Sequence, residues 1–174
     1  MKPTKPFLFL VILLGFHAFV AAQSNAPSKY VGYKYAGVVP NKTLPNGVKH
    51  LGGGLIGDFD ADPVYGIAQV VKGKTKMLWL EVSTGQNATG VTGWLVKDVL
   101  VFNNMTKNQH LFFSVDPAVS CQRDKKDIEN LVALGQIFAR QGVFKPSKAW
   151  IANIQTGKFE PTPIKGLKCE YSPP

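Results

Sequence analysis

Three alternating aspartates in the stretch GGGLIGDFDADPVYG are the residues whose type and spacing first suggest chemistry. Asp58, Asp60 and Asp62 could offer short carboxylates to a calcium ion, which takes about six to eight oxygen ligands. A calcium loop of the EF-hand type starting at Asp58 would need glycine where Pro63 stands and glutamate where Gln69 stands. We therefore predict no metal and no cofactor, and interpret the segment as an exposed acidic turn before a strand. Calcium-assisted binding is the alternative.

Other catalytic signatures are lacking in the sequence. It contains no G-x-S-x-G nucleophile elbow and no H-E-x-x-H zinc motif. A glycosidase needs two carboxylates held over one sugar, and Glu81 and Asp98 are candidates besides the aspartates of the acidic turn. His50 and His110 have no metal partner close in sequence. We expect a protein without catalysis, and a hydrolase with carboxylates dispersed along the chain is the alternative.

Aromatic residues suggest a contact surface. In an extended segment, Tyr33 and Tyr35 would share one face, where with Tyr30 they could stack on sugars or pack on a sheet edge. Trp79 alternates with Glu81, which suggests that its face of a strand is exposed.

The N-terminus has the pattern of a secretory signal peptide. Two lysines precede an apolar run at residues 7–20, and Val20 and Ala22 are the small residues that a signal peptidase reads. The run is shorter than the roughly 20 residues of a membrane-spanning helix. We predict a signal peptide at residues 1–22 and a secreted chain without a membrane span.

The chain is basic, with 20 Lys and Arg against 11 Asp and Glu. A basic secreted protein attracts acidic polysaccharide, phospholipid headgroups or anionic proteins. The charges are scattered along the sequence, and no nucleic-acid motif accompanies them. We predict an acidic polysaccharide or a secreted protein as the partner and no nucleic acid. A solvated surface without a specific partner is the alternative.

Cysteines and glycosylation sequons fit an extracellular protein. Cys121 and Cys169 are the two cysteines of the chain, and in an oxidising compartment an even pair predicts one disulfide. The sequons at Asn41, Asn87 and Asn104 lie in polar stretches between apolar runs, where a glycan can stand in solvent.

Most of the chain has the pattern of short strands. Residues 23–54 are rich in glycine, proline and asparagine and predict an irregular N-terminal arm. Residues 55–174 are expected to form one domain. Its β-rich runs are separated by short turns, which predicts antiparallel pairing. The clearest runs are 64–71, 77–83, 94–102, 110–115 and 148–154.

One segment, RDKKDIENLVALGQIFARQG, predicts a helix. Asp124 would be its N-cap and Gly142 its end. Four apolar residues fall on one face at helical spacing: Ile128, Leu131, Val132 and Phe138. The predicted fold class is therefore α+β, with one antiparallel sheet of five to six strands and this amphipathic helix packed on one face. The disulfide would join the last strand to the start of the helix.

These features together predict a secreted, glycosylated, non-catalytic binding module for an anionic or carbohydrate partner. A secreted hydrolase and a calcium-assisted binding protein are the alternatives.

Overall fold

The computed structural model describes residues 29–37, 44, 47–58, 60–113 and 118–172. These residues form β-strands and one 3-10 turn at Ala139–Gln141. The strands are β1 Lys34–Ala36, β2 Lys49–Ile56, β3 Tyr65–Lys72, β4 Thr75–Gln86, β5 Thr92–Phe102, β6 Gln109–Phe113, β7 Val119–Arg123, β8 Lys126–Asp127, β9 Leu131–Phe138, β10 Val143–Asn153, β11 Lys158–Thr162 and β12 Leu167–Tyr171. No helix in this described part is long and apolar enough to cross a membrane.

The predicted α+β fold is wrong, because the protein is built from two antiparallel sheets and no helix packs on either of them within the described residues. The first sheet has the strand order β1-β5-β4-β3-β2. The second has the order β6-β9-β10-β12-β7-β8, and β11 also pairs with β10. The antiparallel pairing predicted from the short connections is confirmed.

The main part of the predicted helix is β9, an interior strand of the second sheet. Val132 and Leu134 face the first sheet, whereas Leu131 and Ala133 pack in a separate cluster on the other side. A strand buried on both faces is apolar at successive positions, and such a run also satisfies helical spacing. The periodicity therefore could not distinguish the two structures, and the helical face predicted for these residues does not exist.

The predicted N-cap lies in a hairpin turn instead. Asp124 and Lys125 connect β7 to β8 with φ angles of 54° and 63°, both in the left-handed region. The residues on either side of them pair directly across the turn. Two central residues with positive φ are the signature of a type I′ turn, which matches the twist of a hairpin. Ile128 and Phe138, which the helix would have buried, are only half-buried.

The two sheets pack face to face over a common core. From the first sheet it contains Ile67, Leu78, Leu80 and Leu100, and from the second Val132, Leu134, Trp150 and Phe159. The opposite face of the first sheet is covered by residues that precede β2, among them Tyr30, Leu44 and Val48. They bury Trp79 completely, so the expectation that its face is exposed is wrong.

The predicted disulfide between Cys121 and Cys169 is confirmed. The two cysteines lie directly opposite each other on the neighbouring strands β7 and β12. Because the predicted helix is absent, the bridge joins two strands of one sheet instead of a strand and a helix. It lies in a buried cluster with Phe112, Leu131 and Phe144.

Candidate functional site

The acidic segment is a turn between β2 and β3. Asp58, Asp60 and Asp62 are all exposed, and one carboxylate oxygen of Asp58 accepts a hydrogen bond from the Asp60 backbone N–H at 2.9 Å. Nowhere in the described residues do three or more His, Cys, Asp or Glu side chains form a group that could hold a metal ion. Phe59, between Asp58 and Asp60, lies outside the described residues.

The other end of β3 carries lysines. Lys72 ends the strand, and Lys74 lies in the tight turn that leads to β4. The hydroxyl of Thr75, the first residue of β4, donates a hydrogen bond to the side-chain oxygen of Asn103 at 3.0 Å. The β3–β4 turn therefore adjoins the loop that leaves the first sheet for the second.

A cleft of about 430 Å³ opens between the two sheets at this end. Residues 101–106 form one wall, from the end of β5 into the β5–β6 loop. The second sheet contributes Gln109, Leu134, Ser147 and Lys148. Among the described residues, β1 pairs with β5 at residues 93–95 and no strand pairs with Val101 and Phe102 on that side of β5.

Strand register places the polar side chains of the second sheet. Gln109 lies opposite Gln136 on β9, which lies opposite Lys145 on β10. Residues directly opposite in an antiparallel sheet share a face, so these three side chains form one row. In the next row Leu134 lies opposite Lys148. Leu134 belongs to the core between the sheets. Both rows therefore lie on the face of the second sheet that packs against the first sheet further along the strands.

Lys148 lines this cleft, and five further lysines lie on the strands and loops at this end of the sandwich, which we call the basic end. Lys76 lies opposite the cleft residue Phe102, and Lys107 follows the cleft residue Thr106. The six are Lys72, Lys74, Lys76, Lys107, Lys145 and Lys148. The chain segments that form this end, residues 65–80, 99–113 and 131–150, contain no Asp and no Glu. The lysine charges of these segments are therefore not offset by an acidic residue of the same segments.

Two carboxylates are buried, and they lie on opposite faces of the first sheet. Glu81 is 4% exposed and accepts a hydrogen bond from the Tyr35 hydroxyl on the face away from the second sheet. Burial raises the pKa of Glu81 to about 7, although the Tyr35 hydrogen bond opposes the shift. Burial and the neighbouring Glu81 carboxylate raise the pKa of Tyr35.

Asp98 faces the second sheet instead. Its carboxylate accepts hydrogen bonds from the backbone N–H groups of Phe159, at 2.8 Å, and Val99, at 2.9 Å. Asp98 therefore ties β5 to β11 across the core. Since Glu81 and Asp98 point away from each other through the sheet, they cannot act together on one glycosidic bond, which requires two carboxylates over one sugar.

The tyrosines near the N-terminus pack on Trp79. The rings of Tyr33 and Tyr35 are nearly parallel, at 16° and 6.2 Å. Each meets Trp79 edge-on, with centroid distances of 6.3 and 6.1 Å. The buried indole nitrogens of Trp79 and Trp94 have no hydrogen-bond partner within the described residues. This cluster holds the N-terminal strand on the sheet.

The two histidines lie on different sheets. His50 is half-buried on the edge strand β2 of the first sheet, where burial lowers its pKa. His110 is exposed on the edge strand β6 of the second sheet. The structure therefore does not combine them into one site.

Two of the three sequons lie at opposite ends of the molecule. Asn87 is exposed in the β4–β5 turn, and its side-chain oxygen accepts a hydrogen bond from the Thr89 hydroxyl at 2.7 Å. Asn104 is exposed and lines the cleft at the basic end. Asn41 lies outside the described residues. Occupancy of all three stays a prediction.

Comparisons with known proteins add no relative. No family model matches the chain, and no curated protein and no solved structure is significantly similar to it.

The cleft was missed in the sequence because its polar residues are ordinary ones in separate segments. Gln109, Asn103 and Lys148 belong to three strands or loops, and no spacing rule connects them. The available signal was the lack of acidic residues across three long segments of a chain that otherwise mixes its charges.

Proposed function

We propose that this protein is a secreted, glycosylated binding module without catalysis and that its ligand is an acidic polysaccharide, bound at the basic end. The observation that carries the proposal is the group of six lysines at the end of the sandwich where the cleft opens, on segments that contain no Asp and no Glu. Like charges gathered around a concave surface raise the local concentration of an oppositely charged ligand.

Repeated charges on the ligand match this arrangement. The lysines are spread over the β3–β4 turn, the β5–β6 loop and β10, so a chain-like polyanion can meet several of them at once. Contacts that form on one chain reinforce one another, because the later ones are intramolecular. The interaction should weaken with salt, since exposed charges are screened beyond roughly 8 Å at physiological ionic strength.

The composition of the cleft favours a sugar as the unit that carries the charge. Side-chain amides and hydroxyls, which bind sugar hydroxyls, alternate with apolar groups such as Val101 and Met105. The volume of about 430 Å³ falls within the usual range of small-molecule sites. A secreted acidic protein is the second partner class that the charge would allow.

The arrangement of carboxylates supports binding over hydrolysis. Glu81 and Asp98, the two buried carboxylates, face opposite sides of the first sheet. Neither of them lines the cleft. A polysaccharide held at the basic end would therefore meet lysines and amides instead of an acid and base pair.

A ligand panel tests the proposal. The mature protein is titrated calorimetrically with polygalacturonate, heparin, neutral dextran and duplex DNA at low and moderate salt. We expect the acidic polysaccharides to bind, with affinity that falls as salt rises, and dextran not to bind. Equal binding of dextran, tighter binding of DNA than of either polysaccharide, or release of reducing ends during the titration would contradict the proposal.

A further inference from the structure

We infer that the cleft at the basic end is a subsite for the oxyanion of an acidic sugar, a carboxylate or a sulfate, and that the Gln109 amide determines this preference. The inference rests on the proposed function and names the part of the polysaccharide that the cleft would hold.

The orientation of the Gln109 amide is fixed by the backbone. Its side-chain oxygen accepts a hydrogen bond from the Thr106 N–H at 3.0 Å. A backbone N–H can only donate, so the amide oxygen must point to Thr106. The Gln109 N–H in turn donates to the Thr106 carbonyl at 3.0 Å, which closes a small ring of two hydrogen bonds. The amide N–H₂ group is the part of this side chain that is left for a ligand.

The other polar groups of the cleft complete a pattern of donors. The Asn103 side-chain oxygen accepts the Thr75 hydroxyl hydrogen, so its N–H₂ group is also left for a ligand. Lys148 lies in the wall of the cleft. Ser147 donates its hydroxyl hydrogen to the Leu134 carbonyl at 2.9 Å and keeps only lone pairs, which suit one sugar hydroxyl.

A cleft lined by hydrogen-bond donors favours a ligand group that accepts hydrogen bonds. A carboxylate or sulfate accepts hydrogen bonds at every oxygen, and bonds from amide or ammonium donors to a charged oxygen are the strong ones. Among the described residues, no carboxylate lines the cleft to repel the ligand. Lys145 lies in the same cross-strand row as Gln109, and its ammonium lies over the Phe138 ring, 4.4 Å from the centroid. A neutral sugar lacks the charged oxygen that accepts these hydrogen bonds. The cleft should therefore bind a neutral sugar more weakly than an acidic one.

A near-isosteric substitution tests the inference. Gln109→Glu keeps an oxygen that can accept from the Thr106 N–H, and it replaces the N–H₂ group with an oxygen that repels an anion. The matched control is Asn108→Asp, which adds the same charge at the neighbouring exposed residue outside the cleft. The probes are oligogalacturonate, its methyl ester and a sulfated disaccharide, each titrated into the full mature protein.

The wild-type protein should bind oligogalacturonate at least about tenfold more tightly than its methyl ester, as expected for hydrogen bonds to a charged group. Gln109→Glu should abolish this preference without changing the melting temperature, while Asn108→Asp retains it. Comparison of the sulfated disaccharide with oligogalacturonate shows which oxyanion the subsite takes.

Three results would overturn the inference, and they differ from one another. Unchanged binding of oligogalacturonate by Gln109→Glu would remove the subsite but leave the proposed function standing. Equal loss in Asn108→Asp would show that overall charge, not the Gln109 amide, sets the affinity. Failure of the wild-type protein to bind any acidic sugar or polymer would remove the proposed function as well.

Discussion

The two ends of the sandwich carry opposite charges although the same strands connect them. Asp58, Asp60 and Asp62 lie on the turn before β3, whereas Lys72 is its last residue and Lys74 follows it. The hydrophobic core between the two ends consists of residues from both sheets. The charged residues of both ends therefore lie outside the core, where packing does not limit the residue type. The two ends can thus differ in charge and serve different functions.

The ends also differ in shape, and this difference distinguishes a charged turn from a candidate site. At the acidic end, Asp58 accepts a hydrogen bond from a backbone N–H within its own turn, and the carboxylates are exposed. At the basic end, a strand edge and the second sheet enclose a cleft with oriented amides. Alternating charge drew attention to the first region in the sequence, whereas enclosure and oriented donors make the second the stronger candidate.

The largest effect that we predict lies between the two ends, at Glu81. Its pKa of about 7 in the folded protein lies above the ordinary glutamate value of 4.5. Between these two pH values the folded state holds a proton that the unfolded state has lost. The stability contribution is thus complete below about pH 4.5 and is lost as pH rises through 7. The total amounts to about 3 kcal/mol of unfolding free energy.

Urea unfolding of Glu81→Gln from pH 4 to 8 measures this effect. Gln can still accept the Tyr35 hydrogen bond but does not ionise, so the decline of stability with pH should flatten. Glu160→Gln is the matched control, because Glu160 is exposed and hydrogen bonds from Asn153 and Thr156 lower its pKa. An unaltered pH profile in Glu81→Gln would show that Glu81 is not the responsible group. If polygalacturonate affinity changed with pH in the same way, the ionisation of Glu81 in the core would also affect binding at the basic end, and the two regions would not be independent.

The strands were largely predictable from the sequence, and the sheet arrangement was not. The run at 77–83 lies within β4 and the run at 94–102 within β5, because alternation and short Gly-containing turns are local signals. β9 was predicted as a helix because its burial on both faces removes the alternation of a strand. That burial depends on partners distant in sequence, such as Phe112 and Phe144, which local patterns do not reveal.

The charge asymmetry was invisible for a related reason. The lysines of the basic end are spread from residue 72 to residue 148 and were interpreted as scattered. Only the pairing of β4 with β5 and of β6 with β9 and β10 brings them to one end. The disulfide was predictable because two cysteines in an oxidising compartment leave a single pairing.

The sequons offer an intermediate effect that sharpens the comparison. Asn104 lines the cleft and Asn87 lies in the β4–β5 turn, away from it. If both are occupied, Asn104→Gln should strengthen binding of polygalacturonate several-fold by uncovering the cleft, whereas Asn87→Gln should leave it unchanged. Affinity measured on protein from a glycosylating host checks this expectation. Equal effects of the two substitutions would show that the glycans act without regard to position.

The smallest effects are expected at the acidic end. Calorimetric titration with calcium should show no binding at micromolar concentrations, because a calcium site needs its oxygens within about 2.6 Å of one ion. Asp60→Asn should leave both the melting temperature and polygalacturonate affinity nearly unchanged. The Asp60 carboxylate is exposed and lies at the end of the sandwich opposite the cleft, so salt screens its charge from the ligand. Micromolar calcium binding that is lost in Asp60→Asn would show that the acidic turn is a metal site. It would contradict the view that the cleft is the stronger candidate of the two regions.

The most direct test of the basic end is a paired charge reversal. Lys145→Glu with Lys148→Glu changes the charge beside the cleft, while Lys158→Glu, at an exposed position on β11 outside the cleft, reverses a lysine elsewhere. Polygalacturonate affinity is measured at one low salt concentration, with the melting temperature recorded for each variant. We predict a loss of at least about tenfold for the double variant and less than about twofold for Lys158→Glu. Equal losses in the two proteins, or no loss in a folded double variant, would contradict a polyanion site at the basic end.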